Sequence, residues 1–240
     1  MARQLNDKQL NILELILRFR YATTDNLAST RNITANSAYS ALEILHKAGY
    51  IGKLHEKSYR LQNKSARYFL TSQAIDYLRN EVGSQLPDSA WKARSKDANR
   101  SAAFVDQQVA IHGAYNVLHG IYGDSAQIMT ALEMGGEEGI IRPLPGLRVR
   151  PTSCKKFFVE LTDGQHLFIA KKRIRKYIQN YDDGDWEWDE YPDVYMVRAS
   201  SAAERTALRK YAAERMEDAY LDEDDFSFHV VTSVAQIKRI

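Results

Sequence analysis

The stretch TANSAYSALEILHKAGYIGKLH, residues 34–55, decides how this chain is read. Thr34 is a favourable helix N-cap, because its hydroxyl can accept from one of the backbone N–H groups that lack an intrahelical partner. From Ala35 to Lys47, Ala38, Ala41, Leu42 and Leu45 recur at helical spacing and make one apolar face. Gly49 stands where a helix stop calls for left-handed backbone. Beyond it, Tyr50 to His55 alternates in the manner of a strand. Upstream, Asn6 or Asp7 caps a helix reaching Arg20, with Leu10, Leu13, Ile16 and Leu17 on its apolar face. Thr23, Thr24 and Asp25 open a short second helix carrying Leu27 and Ala28, broken at Thr30–Asn32. Downstream, a polar stretch from Glu56 to Ala66 precedes strand character at Arg67–Thr71 and a helix over Ser72–Glu81.

Helix, helix, helix, Ala-Gly-Tyr-Ile, hairpin and Tyr-Phe-Leu-Thr resembles the winged helix-turn-helix domains of bacterial DNA-binding proteins. That resemblance implies a recognition helix at 35–47 whose N-terminal part enters the major groove, so Asn36, Ser37, Tyr39 and Ser40 are the candidates for base and phosphate contacts. None is an arginine, so strong bidentate reading of guanine is not expected from this helix. Lys53, Lys57, Arg60, Lys64 and Arg67 on the hairpin, joined by Arg31, are expected to face phosphates, with Glu43 opposing them. The bland alternative for these cations is an ordinary solvated hairpin.

The charge distribution agrees with this placement. Among 240 residues the net charge is +2, but residues 1–100 hold 16 Lys and Arg against 9 Asp and Glu, and the remainder 17 against 22. A basic half beside an acidic half is expected of a nucleic-acid-binding module joined to a different one. With 44% hydrophobic and 27% charged residues, the composition is globular and excludes fibrous or low-complexity chains. The N-terminus lacks the apolar core of a signal peptide, Cys154 has no cysteine to pair with, and no transmembrane stretch stands out, so a cytoplasmic protein with no membrane partner is expected.

Turn-rich residues 83–100 are expected to connect a first domain at 1–82 to a second at 101–240. The second opens with a helix over Ser101–Tyr122. Strand character follows at 126–133, 147–150, 156–161 and 166–169, then a basic helix over Lys171–Tyr181, a strand at 192–198, a helix at 203–216 and a last strand at 226–232. This order, a helix and a run of strands followed by α, β, α, β, predicts an α/β layer with one mixed central sheet. The run Lys171, Lys172, Arg173, Arg175 and Lys176 is a candidate second nucleic-acid surface, or a partner for the acidic stretch 182–190 of its own domain. His112 and His119 lie seven apart, without the spacing of a metal site, and suit packing or surface roles.

The N-terminal domain, the connecting helix, Arg-Pro-x followed by Phe-Phe-Val-Glu-Leu, the basic helix with Tyr-x-x-x-Tyr and Tyr-Pro-Asp-Val-Tyr-Met-Val together resemble the replication-relaxation family. That resemblance implies an α+β chain, a winged helix-turn-helix followed by a restriction-endonuclease-like domain, linked to plasmid and mobile-element replication or mobilisation. Such nuclease folds hold Mg²⁺ with a Pro-Asp and a later Glu-x-Lys. Here Arg150-Pro151 is followed by Thr152, and Glu160-Leu161 by Thr162, leaving Glu160 as a weak catalytic candidate. Gly135-Gly136-Glu137-Glu138-Gly139 lacks the Lys-Ser/Thr of a phosphate loop and reads as a turn. The leading expectation is a non-catalytic double-stranded-DNA-binding protein, sequence- or structure-specific, serving replication, mobilisation or transcription control. Its expected partners are DNA, a protein docking on the C-terminal domain, and a second copy of the chain if half-sites are paired. One alternative is a metal-dependent nuclease or nicking enzyme using Glu160 and Mg²⁺, the only cofactor in view. Another is a protein-interaction module whose N-terminal domain never meets DNA.

Overall fold

Side-chain caps set the first three helices in the computed structural model, which describes residues 5–55, 59, 61, 64–81 and 86–237. Asn6 and Gln9 form a reciprocal capping box at the start of α1 (Asp7–Phe19). Thr23 accepts from Asn26 to open α2 (Thr24–Arg31), and Thr34 accepts from Ser37 to open α3 (Ala35–Lys47). Each such cap satisfies an N–H that would otherwise be orphaned, stabilising its helix by about 1 kcal/mol. Asn32 closes α2 in left-handed backbone, and Gly49 has φ of +82° after α3, the conformation its position calls for. Ile12, Leu13, Ile16 and Leu17 of α1 are buried with Leu27 of α2 and Ala38, Leu42 and Leu45 of α3.

Strands β1 (Ile51–Leu54) and β2 (Arg67–Leu70) pair antiparallel, with Ile51 opposite Leu70 and Leu54 opposite Arg67. The Phe69 ring lies over Gly52 and leaves no room for a Cβ, which accounts for a glycine inside a strand. Ala22 exchanges both backbone hydrogen bonds with Tyr68, at 3.0 and 2.9 Å, and adds a third, one-residue rung to this sheet. Helix α4 (Ser72–Asp76) follows and widens into a π-helical turn over Tyr77–Glu81.

By contacts the chain divides into two compact units, residues 1–116 and 117–240, a boundary inside a helix and not in the turn-rich 83–100 segment. The described part of that segment is folded onto the first unit. Helix α5 (Asp88–Arg94) and a 3₁₀ turn (Asp97–Asn99) bury Trp91, Arg94 and Asp97. Arg94 donates to the Leu17 carbonyl at 2.8 Å, Arg20 pairs with Asp97, and the Tyr21 hydroxyl donates to the Asp97 carbonyl at 2.6 Å. Polar turn residues thus serve as tertiary ties, which composition alone reads as a linker. Helix α6 (Ala102–Tyr122) continues this packing. Asn26 donates to the Val109 carbonyl at 2.9 Å, and His112 stacks on Phe19 with ring centres 4.0 Å apart.

The second unit is built on a five-stranded sheet in the order β3 (Ala126–Thr130), β4 (Leu147–Pro151), β5 (Phe157–Leu161), β6 (Asp193–Val197), β7 (Phe228–Val231). β3, β4 and β5 run antiparallel; β5, β6 and β7 run parallel, so the sheet is mixed. The parallel connections are helices α7 (Leu167–Asp183) and α8 (Ala202–Asp218). Ala170, Ile174, Tyr177 and Ile178 of α7 and Leu208 and Ala212 of α8 share one core with Met129, Phe158, Val194, Met196 and Val230, placing both helices on one face of the sheet. Arg148 is fully buried on that face. It pairs with Glu137, and its guanidinium lies 4.2 Å from the centre of the Trp188 ring.

One expected strand is absent. His166-Leu167-Phe168-Ile169 is the start of α7, with His166 as the residue before its first turn. So short an apolar run does not distinguish strand from helix. The stretch after Thr130 is a 3₁₀ turn over Glu133–Gly136, in keeping with a turn at the paired glycines. Among the described residues no helix is long and apolar enough to cross a membrane.

Candidate functional site

Helix α3 has two distinct sides. Ala38, Leu42 and Leu45 are fully buried, whereas Asn36, Ser37, Tyr39 and Ser40 are exposed, Tyr39 to 50%. Ile44, absent from the sequence-based candidates, is 51% exposed on the same side. Its position two residues beyond Leu42 and one before Leu45 already put it off the buried stripe. The outward surface at the helix start is therefore uncharged, polar and partly apolar.

The cations around α3 are engaged to different degrees. Lys53 donates to Glu43 at 2.6 Å and lies between the Tyr39 and Tyr68 rings, 5.8 and 5.5 Å from their centres. The hydrogen bond from Lys53 holds the Glu43 carboxyl below its usual range. Lys64 and Arg67 both pair with Asp106 of α6, at 2.6 and 3.0 Å, and Arg67 is buried. Asp106 lies so far along the chain that no local pattern announces it. Arg31 donates to the Asn11 side chain at 2.5 Å. Lys57 and Arg60 lie outside the described residues. Lys47, at the end of α3, is exposed.

In the second unit the basic run of α7 divides. Arg173 turns inward to Glu160, Lys176 donates to the Arg142 carbonyl at 3.1 Å, and Lys171 lies 4.8 Å from the centre of the Tyr211 ring. Lys172 and Arg175 are exposed. Among the described residues, no ion pair joins this run to the acidic stretch 182–190.

Glu160 is nearly buried near the end of β5. Arg173 reaches one of its oxygens at 2.6 and 2.7 Å, and the Tyr177 hydroxyl donates to the same oxygen at 2.5 Å. Burial first, and then the Glu160 charge, push the Tyr177 phenol well up, so it stays a donor. The strand register separates the two halves of the motif expected of a nuclease. Leu147 faces Val159 and Val149 faces Phe157, so the next residue beyond β4's start, Gly146, lies toward Glu160, while Pro151 and Thr152 lie at the other end of the hairpin. An aspartate at 152 would not share a cation with Glu160. Among the described residues no group of three His, Cys, Asp or Glu side chains is placed to hold a metal ion. These residues do not fit Mg²⁺.

Comparison with protein-family models, with curated proteins and with solved structures returns no match.

Proposed function

We propose that this chain is a non-catalytic double-stranded-DNA-binding protein that docks through α3 and the β1–β2 sheet. The observation that carries the reading is the outward face of α3, where Asn36, Ser37, Tyr39 and Ser40 stand free of the core that Ala38, Leu42 and Leu45 enter. A helix of this size fits the major groove, and Asn, Ser and Tyr supply donors and acceptors for base edges and phosphates. Three capped helices followed by an antiparallel pair, with the Ala22 rung beside it, support a winged helix-turn-helix. The three antiparallel strands and two helix-linked parallel strands of the second unit support a restriction-endonuclease-like domain, and with it the resemblance to the replication-relaxation family. Glu160, tied to Arg173 and Tyr177, argues for a scaffold and not a nuclease. Replication, mobilisation or transcription control of a plasmid or mobile element is the process this reading serves.

Selection of bound fragments from a genomic library, followed by salt titration on the selected duplex, tests it. Affinity should fall steeply as salt rises, because each neutralised phosphate contributes about 0.9 to the slope of log K against log salt. A flat titration, or selection of no duplex at all, removes DNA binding from the account. A footprint with twofold symmetry would further show that two copies act on paired half-sites.

A further inference from the structure

The outward face of α7 combines exposed aromatic surface with unpaired positive charge. Phe168 is 67% exposed and Ile169 49% exposed, in the first turn of the helix. Phe168, Lys172, Arg175 and Gln179 succeed one another at spacings of four, three and four residues, and all are exposed. Such spacing places them on one face, with Phe168 and Arg175 roughly 10 Å apart along the axis. No hydrogen bond or ion pair occupies Lys172 or Arg175 among the described residues. Arg142 and Lys176 border the far end of this face, where Gln179, Asn180 and Asp183 complete a shallow cleft.

We propose that this face binds single-stranded nucleic acid, with Phe168 stacking on an unpaired base and Lys172 and Arg175 meeting the adjacent phosphates. A ring standing free in water gains by covering a base of any identity, and flanking cations neutralise the backbone that the base brings with it. A duplex is the poorer occupant, because its bases are already stacked and would have to be wedged apart to reach Phe168. A membrane surface is poorer still. The apolar face of α7, with Ala170, Ile174, Tyr177 and Ile178, is committed to the sheet and has nothing to offer lipid. Asp183 ends the stripe with negative charge, which places the phosphates toward the helix start.

The inference stands apart from duplex binding by α3, and two sets of variants in the full-length chain separate them. Fluorescence anisotropy with labelled oligothymidine, and in parallel oligouridine, should show binding to at least one strand. Phe168→Ala should weaken it about tenfold, the usual effect of losing one stacking ring. Lys172→Glu with Arg175→Glu should abolish it, while duplex affinity and the circular dichroism spectrum stay unchanged. Asn36→Ala with Tyr39→Ala should do the reverse, lowering duplex affinity only. Failure of the wild-type chain to bind either oligonucleotide overturns the proposal. So does undiminished binding by Phe168→Ala, which would leave only a nonspecific charged surface. Loss of binding to phosphatidylserine vesicles on Phe168→Ala, with no oligonucleotide binding, would assign the face to a membrane instead.

Discussion

Lys53 of β1 donates to Glu43 of α3 at 2.6 Å, and the Tyr68 hydroxyl donates to the same carboxylate oxygen at 2.9 Å. The strand cation nearest the proposed recognition helix is thus held by that helix's own carboxylate. Positive charge that is compensated within the protein attracts phosphate less than its sequence count suggests.

Glu43→Gln keeps an acceptor for Tyr68 but frees the Lys53 charge. Duplex affinity should rise roughly three- to tenfold at low salt, and the slope of log K against log salt should steepen by about one phosphate's share. Salt titrations of wild type and variant on one duplex measure both. An unchanged slope would mean that Lys53 does not reach the backbone.

Asn36, Ser40 and Ile44 follow one another at four-residue intervals on the exposed side of α3. Asparagine suits adenine's N6 and N7, and an exposed aliphatic chain suits the thymine methyl. Replacing thymine by uracil within the selected site should therefore cost about fourfold in affinity at one position, the worth of one buried methyl. Ile44→Ala should erase that difference while retaining duplex binding. Equal discrimination by both proteins would place the methyl contact elsewhere.

Elements fixed by short-range chemistry were readable from the residues, while long-range neutralisation was not. Thr34, the apolar stripe of α3 and Gly49 mark a helix within a single stretch, and each structural counterpart sits there. Phe168 and Ile169 misled because their exposure in α7 depends on which neighbours the sheet recruits, and two apolar residues set no period. Asp106 neutralises Lys64 and Arg67 from another helix, and Asp97 does so for Arg20 across more than 70 positions. At the candidate nuclease motif, the residue types showed the missing carboxylate, but only the strand register showed that Thr152 and Glu160 lie at opposite ends of the hairpin.

His112 supplies a pH dependence. It is fully buried between Phe19 and Thr30, and burial pushes its imidazole down to about 4. Below about pH 6.5 the unfolded chain takes up a proton that the folded chain refuses, so stability falls with pH until the folded group also titrates. The loss should approach about 3 kcal/mol. Asp97 acts in the opposite sense, since burial raises its carboxyl and the folded chain then gains protons first. His112→Phe isolates the histidine, because Thr30 keeps its bond to Asn116 at 2.7 Å. Urea unfolding at neutral and acidic pH should show a smaller acid loss in the variant than in wild type. Parallel curves would show that His112 is not the source.

The Glu160, Arg173 and Tyr177 cluster distinguishes a structural carboxylate from a catalytic one. Arg173 reaches Glu160 from α7, so the pair ties the helix to β5 near the end of the parallel strands. Removing one partner of a buried pair leaves the other charge unpaired in a poorly solvated place. Arg173→Met should cost about 3–5 kcal/mol for that reason. Adding Glu160→Met removes the stranded charge as well, and the double variant should recover most of the stability lost by the single one. A double-mutant cycle by urea unfolding measures this coupling. If Glu160 were instead held for catalysis, Arg173→Met would free a carboxylate and leave stability nearly unchanged, while Glu160→Met would abolish Mg²⁺-dependent cleavage. Strong coupling together with absence of cleavage in every variant is the expected result, because one Glu160 oxygen is committed to both the guanidinium and the phenol, and among the described residues no group of three His, Cys, Asp or Glu side chains is placed to hold a cation.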